Sequence, residues 1–406
     1  MKYLLIIYFF SFFSGAYYFD VGFALKIFII FSVVLVVINF NKIRFSFHLY
    51  EYFMLLFFFL YISTSFFAID YLSSLRLTVG IVLLITVYLL LKFLFDTYSK
   101  RFNLEYLLFY SLILFVVLSL IMYALGLGVV NGEFLKYNTE KIYGVMIDRH
   151  IPRLIGLTED PNFFALYITP FLFYFYVKKS KTIKDVILLF LLFLLLFLSF
   201  SRGAIIGVFG VIFIYELIKL IFIFSNLPKR ISLRKYIPLI AAIFIFIFIF
   251  IFISSYMDIV DKVLEMINKR VSTASSGSGR FEIWSNGLDL FQDNFFTGIG
   301  LYNFRYYNLH YFNDAHYMHN THLEVLVEAG IIGFTVYVVF HLLLFYQLVK
   351  ICIHNKTNIY LLLSYMSMII QLSVLSAIIN EVWFLFLAYI AFIIKVEKLK
   401  RLKYEV

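Results

Sequence analysis

Long apolar runs joined by short connections constrain this chain more than any other feature. A bilayer core takes about 20 apolar residues per helix. Stretches such as PLIAAIFIFIFIFIFIS and LEYLLFYSLILFVVLSLIMYALGLG supply them without a break. The first alternates only between two greasy residues, so it carries no strand signal. A membrane barrel would alternate apolar with polar residues, whereas helices satisfy their own backbone and tolerate continuous hydrophobicity. Of the 406 residues, 63% are hydrophobic and 14% charged, against about half and a quarter in a soluble domain.

The reading is an all-α integral membrane protein of about 12 transmembrane helices. The spans fall at roughly 3–18, 21–40, 49–67, 75–95, 104–127, 161–177, 186–200, 203–225, 237–255, 323–349, 358–377 and 380–395. The chain reads as one polytopic domain, 1–406, with no convincing 20–50-residue repeat. The first run lacks a clear small-x-small cleavage site and is expected to remain as a helix.

The net charge of +10 does not point to nucleic acid, because the basic residues cluster at alternate connections. One set holds Lys42 and Arg44, Lys100 and Arg101, Lys178 to Lys184, Lys229 to Lys235, Lys350 and Lys356, and the C-terminal lysines. The short connections near Asp20, Asp70 and 378–380 hold neither Lys nor Arg. The positive-inside rule then puts both termini in the cytoplasm. Two longer loops fall outside, 128–160 and 256–322, the latter with short amphipathic helices. Cys352, the one cysteine, is expected in a cytoplasmic connection and excludes an intramolecular disulfide. The eight histidines show no metal-ligand spacing, and no cofactor is expected.

Polar residues gather on the expected outer side. Arg202 in SRGAIIG stands at a turn beside a glycine; a lone arginine there can also simply snorkel to the interface. Arg280 precedes Phe281, Trp284, Leu288 and Phe291, whose helical spacing suggests an interfacial amphipathic helix. A cation at a helix N-terminus opposes the dipole, which favours an anionic partner. In MHNTHLEVLVEAGIIG, Thr321 and Glu324 match a capping box, and Gly330 and Gly333 suit close helix packing. His319 lies just before that helix, where a neutral base form is favoured. His316 and His322 compete for the role, with His322 the more structural. In IPRLIGLTEDPNFFA, Asp160 and Pro161 read as cap and first residue of a helix, with Arg153 before them and Asn162 in the first turn. Arginines grip diphosphates through paired hydrogen bonds, and a neutral histidine can take a proton from a sugar hydroxyl. A lipid-linked sugar donor would use both.

The ordered motifs RLIG…DPN, SRGAIIG, GRFEIW, GIG and HNTHLEVLVEAGIIG, over roughly residues 150–335, resemble the O-antigen ligase and polymerase superfamily. The resemblance implies a metal-independent membrane glycosyltransferase that uses an undecaprenyl-diphosphate-linked oligosaccharide donor at the outer face of the cytoplasmic membrane, with inversion at the anomeric carbon. It implies catalytic roles for His319, Arg202 and Arg280, and diphosphate or glycan binding by Arg153, Asn162, Asn320 and Trp284. The acceptor is either another lipid-linked repeat unit, in a polymerase, or lipid A–core, in a ligase; the polymerase is favoured. A chain-length regulator protein is a possible partner. A flippase is the alternative from another class, but no two related halves are visible.

Overall fold

The computed structural model describes residues 2–20, 24–39, 46–137, 139–148, 150–225 and 280–404. The apolar runs fold as helices: α1 (Lys2–Phe13), α2 (Ile27–Asn39), α3 (Leu49–Ser63), α4 (Tyr71–Tyr98), α5 (Leu104–Val130), α6 (Pro161–Val177), α7 (Ile183–Leu198) and α8 (Arg202–Ser225). Beyond 279 follow α9 (Arg280–Asp293), α10 (Phe304–Phe312), α11 (Thr321–His354), α12 (Ile359–Leu372) and α13 (Glu381–Tyr404). The expected span at 237–255 lies outside the described residues.

Among the described residues, five helical stretches are long and apolar enough to cross a membrane: Leu49–Phe67, Tyr71–Tyr98, Leu104–Val130, Arg202–Leu220 and Thr321–His354. This is a multi-pass membrane protein, with fewer full-length spans in view than the twelve expected. The reason is visible at the N-terminus. The runs expected at 3–18 and 21–40 give helices of 12 and 13 residues, each about 20 Å long or less against a hydrocarbon core of about 30 Å. Between them β1 (Tyr18–Asp20) and β2 (Ala24–Lys26) pair antiparallel as a hairpin.

A second departure from an all-α fold lies within 128–160. Strands β3 (Thr139–Ile142), β4 (Val145–Asp148) and β5 (Ile151–Leu154) form an antiparallel sheet in sequence order. Val145 and Ile147 alternate inward and are fully buried, the period-2 pattern of a half-buried strand. The sheet meets α5 at two glycines. A Cβ on Gly126 would come 2.7 Å from Val145 Cγ2, and one on Gly144 would come 2.6 Å from the Tyr123 nitrogen.

The chain divides into two compact units, 1–211 with 283–406, and 212–282. In the first, α3 packs against α11, α6 against α12, α4 against α13 and α1 against α5. The N-terminal part of α8 meets α12 through Gly207 and the residues just after α12 through Gly203. A Cβ on Gly203 would lie 2.0 Å from Val374 Cγ2, and one on Gly207 would lie 3.0 Å from the Ser367 carbonyl oxygen. The glycines of GAIIG thus form the small-xxx-small seam that lets membrane helices approach closely.

Each end of this unit has its own chemistry. One end carries the ion pairs Lys92–Glu51, Lys178–Asp185 and Lys395–Asp96. The other carries the starts of α6, α8, α11 and α13 and is called the motif end below. Cys352 is buried near the end of α11 rather than in a connection.

Candidate functional site

Two turns dominate the motif end of the first unit. The first runs from the end of α7 into α8, through Ser199, Phe200 and Ser201 to Arg202. Phe200 adopts a left-handed backbone conformation, φ 48°, which costs a non-glycine residue roughly 1–2 kcal/mol. The surroundings hold it there. Arg153 on β5 is buried, and its Nε donates to the Ser199 carbonyl at 3.1 Å while Nη2 donates to the Phe200 carbonyl at 3.4 Å. Its Nη1 meets Asp148 Oδ2 at 3.1 Å. The Ser201 hydroxyl donates to Asn162 Oδ1 at 2.7 Å. Asn162 is itself fixed, since α6 starts as the sequence predicts: Pro161 opens the helix and Asp160 Oδ1 accepts the Asn162 N–H at 2.7 Å.

The second turn leads into α11 and is built in the same way. His319 has φ 49°, again left-handed, and is half-buried. On one side, the Met318 carbonyl accepts the Trp284 indole N–H at 3.0 Å. The Met318 side chain packs in a cluster with Ile283, Leu290, Ile299, Phe304 and Val327. On the other side, Asn320 caps α11, its Oδ1 accepting from the His322 and Leu323 N–H groups at 3.1 and 3.2 Å.

The cap is therefore Asn320 and not Thr321, and the expected capping box does not form. Thr321 is used elsewhere: its N–H donates to the Leu375 carbonyl at 3.0 Å, and its hydroxyl accepts the Ala377 N–H at 3.0 Å. That bond matters for the site. The connection between α12 and α13 touches both turns, Val374 against Gly203 beside Arg202, and Leu375 with Ala377 against Thr321. Residues more than 100 positions apart, Arg202 and His319, are brought to one end of the bundle by a segment in which the sequence reading singled out no site residue.

The competing histidines are distinguished by their partners. His322 uses both ring nitrogens, Nδ1 with the Tyr337 hydroxyl at 2.9 Å and Nε2 with the Ile369 carbonyl at 3.0 Å. A carbonyl only accepts, so Nε2 carries the proton and Nδ1 accepts from the tyrosine. His316 is exposed and its Nδ1 is paired with Asp314.

Arg280 is the first residue of α9 and belongs to the second unit. The amphipathic helix expected after it is present with a rotated face. Ile283, Gly287 and Leu290 are buried and Trp284 and Phe291 border them, while Phe281 and Leu288 are exposed. Gly287 is the reason: a Cβ there would lie 2.4 Å from Met318 Cε, so this face must seat against the residue before His319.

The GIG motif has an equally specific role. Gly298, Gly300 and Gly330 all have positive φ. Gly330, at φ 63° and ψ −173°, breaks α11 into segments 321–329 and 331–354, so it does more than ease helix packing. The break frees carbonyls that the GIG segment uses: the Ile299 N–H donates to Val327 at 3.0 Å and the Gly300 N–H to Glu328 at 3.1 Å. Buried Glu328 accepts from the Tyr302 and Phe304 N–H groups at 2.8 and 3.1 Å and from the Tyr61 hydroxyl at 2.5 Å. Sequence reasoning passed over Glu328 as one more residue of a greasy helix. Its signal was a carboxylate two residues before a glycine, inside an expected span.

Arg76, Arg305, Tyr302 and Tyr317 were also missed. With Lys26 and Glu381 they line a cleft of about 680 Å³ at the motif end. Arg76 sits inside an apolar run, where a charge is costly and calls for a role.

Residues 187–338 match the family model described as O-antigen ligase. The matched stretch includes Arg202, Arg280, Trp284, His319 and Asn320, and leaves out Arg153 and Asn162. No curated protein matches the chain.

Proposed function

We propose, taking the chain as a member of the O-antigen ligase and polymerase superfamily, that it is a polysaccharide polymerase of the cytoplasmic membrane. It would transfer an undecaprenyl-diphosphate-linked glycan to a sugar hydroxyl of another lipid-linked repeat unit at the outer face. The observation that carries the reading is the shared support of the Arg202 and His319 turns by the connection between α12 and α13.

In this reading, Arg202 and Arg280 hold the donor diphosphate and stabilise the charge that develops as it leaves. His319 takes the proton from the acceptor hydroxyl as that oxygen attacks the anomeric carbon. The C–O bond to the diphosphate breaks as the new glycosidic bond forms, so the configuration inverts and the lipid diphosphate departs. Arg153, Asn162, Trp284 and Asn320 act by setting the two turns rather than by gripping the glycan, in keeping with their hydrogen bonds to backbone and to Ser201. A left-handed histidine pinned on both sides fits a base whose position must not drift, since strained backbone persists where the surroundings over-determine it.

The test is a transfer assay with purified protein, defined undecaprenyl-diphosphate repeat units and EDTA, with products sized on a gel. Wild type is expected to build a ladder. His319→Ala should lower the rate by about 10²–10⁴, and Arg280→Ala should abolish the ladder. Transfer only after addition of lipid A–core would make the protein a ligase instead. Unchanged rates in both variants would remove these residues from the mechanism.

A further inference from the structure

The motif-end cleft of about 680 Å³ lies between the β2–α2 segment, the first turns of α4, the residues flanking α10 and the start of α13. Its rim is cationic. Lys26 is spoken for, with Nζ 2.8 Å from Glu381 Oε1 and 3.9 Å from Glu159 Oε1. Arg305 is partly spoken for: Nε donates to the Ala315 carbonyl at 2.9 Å, Nη1 to the Tyr317 hydroxyl at 3.1 Å, and the guanidinium lies 4.9 Å from the centre of the Tyr317 ring. Those contacts orient it and leave Nη2 without a partner among the described residues. Arg76 is exposed and has no partner among the described residues. It stands five residues into α4, about 8 Å from the helix start. Below it the walls are apolar, with Phe28 and Ile29 from α2 and Val79 and Leu83 from α4.

A cationic rim over an apolar groove fits an amphiphile with an anionic head. Arginine forks favour phosphate oxygens, which they bind through paired hydrogen bonds. The lining carries three cations and one carboxylate, and that carboxylate is already bonded to Lys26. The cleft adjoins the candidate site without using its arginines. Tyr317, two residues before His319, forms part of its wall, and so do Ile379, within the connection that supports both turns, and Glu381, directly after it.

We infer that this cleft, through Arg76 and Arg305, holds the diphosphate of a second polyprenyl-diphosphate-linked glycan, the acceptor, with its lipid chain along α2 and α4. The inference rests on the polymerase reading, which alone requires two lipid diphosphates at once, and it assigns the second of them a place.

Native mass spectrometry of the detergent-purified protein titrated with undecaprenyl diphosphate tests it, with phosphatidylglycerol as competitor. Wild type should bind two lipid diphosphates. Arg76→Ala should bind one, with the weaker affinity reduced roughly ten- to a hundredfold. Arg76→Lys should recover part of the loss, and Arg202→Ala should weaken the other site instead. Arg76 is exposed and makes no hydrogen bond or ion pair with the described residues, so its loss should leave the fold intact, which a melting curve would check. Two lipids bound equally well to Arg76→Ala, only one bound to wild type, or displacement by equimolar phosphatidylglycerol would overturn the assignment. Transfer is measured separately. Wild type that binds two lipids and makes no ladder removes the polymerase reading while leaving a second lipid-diphosphate site in place.

Discussion

Arg153 shows how a side chain can stand out in the sequence while its partners in the fold do not. Its position before the Asp-Pro-Asn start of α6 is visible in the sequence, and so is the oddity of an arginine on the side poor in basic residues. Its partners are not, because Ser199 and Phe200 lie 46 and 47 residues away and no local pattern announces such a pairing. The structure gives a testable division of labour. Arg153→Met keeps most of the aliphatic stem and removes the donors. It removes one partner of Asp148 and the donors to two carbonyls, at a cost of about 3 kcal/mol for breaking a largely buried pair. If Arg153 only sets the turn before Arg202, turnover should fall with little change in KM for the donor. A rise in donor KM with unchanged turnover would instead make it a ligand for the diphosphate.

At the scale of elements, what could be read from the sequence depended on whether the information was local. The apolar runs, the cap on α6 and the amphipathic α9 are local patterns; among the described residues the runs fold as helices, some shorter than expected, α6 is capped as read, and α9 forms with a rotated face. The β3–β5 sheet and the break in α11 are not local. The strands are four residues each and gain their hydrophobic face only against α5, α6 and α7, while Gly330 within EVLVEAGIIG is equally compatible with an unbroken helix. Its necessity comes from Phe296, whose carbonyl oxygen would lie 2.3 Å from a Cβ at 330, and from a backbone at φ 63° and ψ −173° that is essentially closed to other residues. Gly330→Ala should therefore destabilise the protein far more than the same change at a helical glycine, where alanine is favoured by about 1 kcal/mol. Gly210 serves as the control, since a Cβ there meets nothing within 4 Å. Thermal melting of the two variants decides the matter: equal or raised melting temperatures for both would mean that α11 can straighten without cost.

The whole first unit is tied together at the motif end by an ion cluster whose members are far apart in sequence. Lys26 on the N-terminal hairpin reaches Glu381 at the start of α13 at 2.8 Å, and the Tyr167 hydroxyl on α6 donates to the same carboxylate oxygen at 3.3 Å. Asn380 completes the group, with Nδ2 donating to the Tyr167 hydroxyl at 3.1 Å. The hairpin, α6 and the connection supporting both candidate turns thus share one buried carboxylate. Burial works to lower the Lys26 pKa, but attraction to Glu381 and Glu159 outweighs it, and the ammonium is held above the ordinary lysine value. A raised pKa on a cation means that its stabilising contribution is complete below the ordinary lysine value and is lost as pH rises through the higher one. Between pH 6 and about 10 the cluster should add a constant amount of stability, and above that range its share should fall. Other lysines and tyrosines titrate there too, so the quantity to measure is the difference in melting temperature between wild type and Lys26→Met. That difference should be flat to about pH 10 and shrink above it. At neutral pH, Lys26→Met strands a carboxylate that is 3% exposed, and breaking a buried pair from one side costs roughly 3–5 kcal/mol, somewhat less here because Lys26 retains contact with solvent. Lys26→Met combined with Glu381→Leu should recover much of that loss, since it removes the stranded buried charge; the Tyr167 hydroxyl loses an acceptor, and Glu159, which loses Lys26, is partly exposed. A double variant no more stable than Lys26→Met alone would show that Glu381 does not depend on Lys26, and that the hairpin is held to α13 by packing instead.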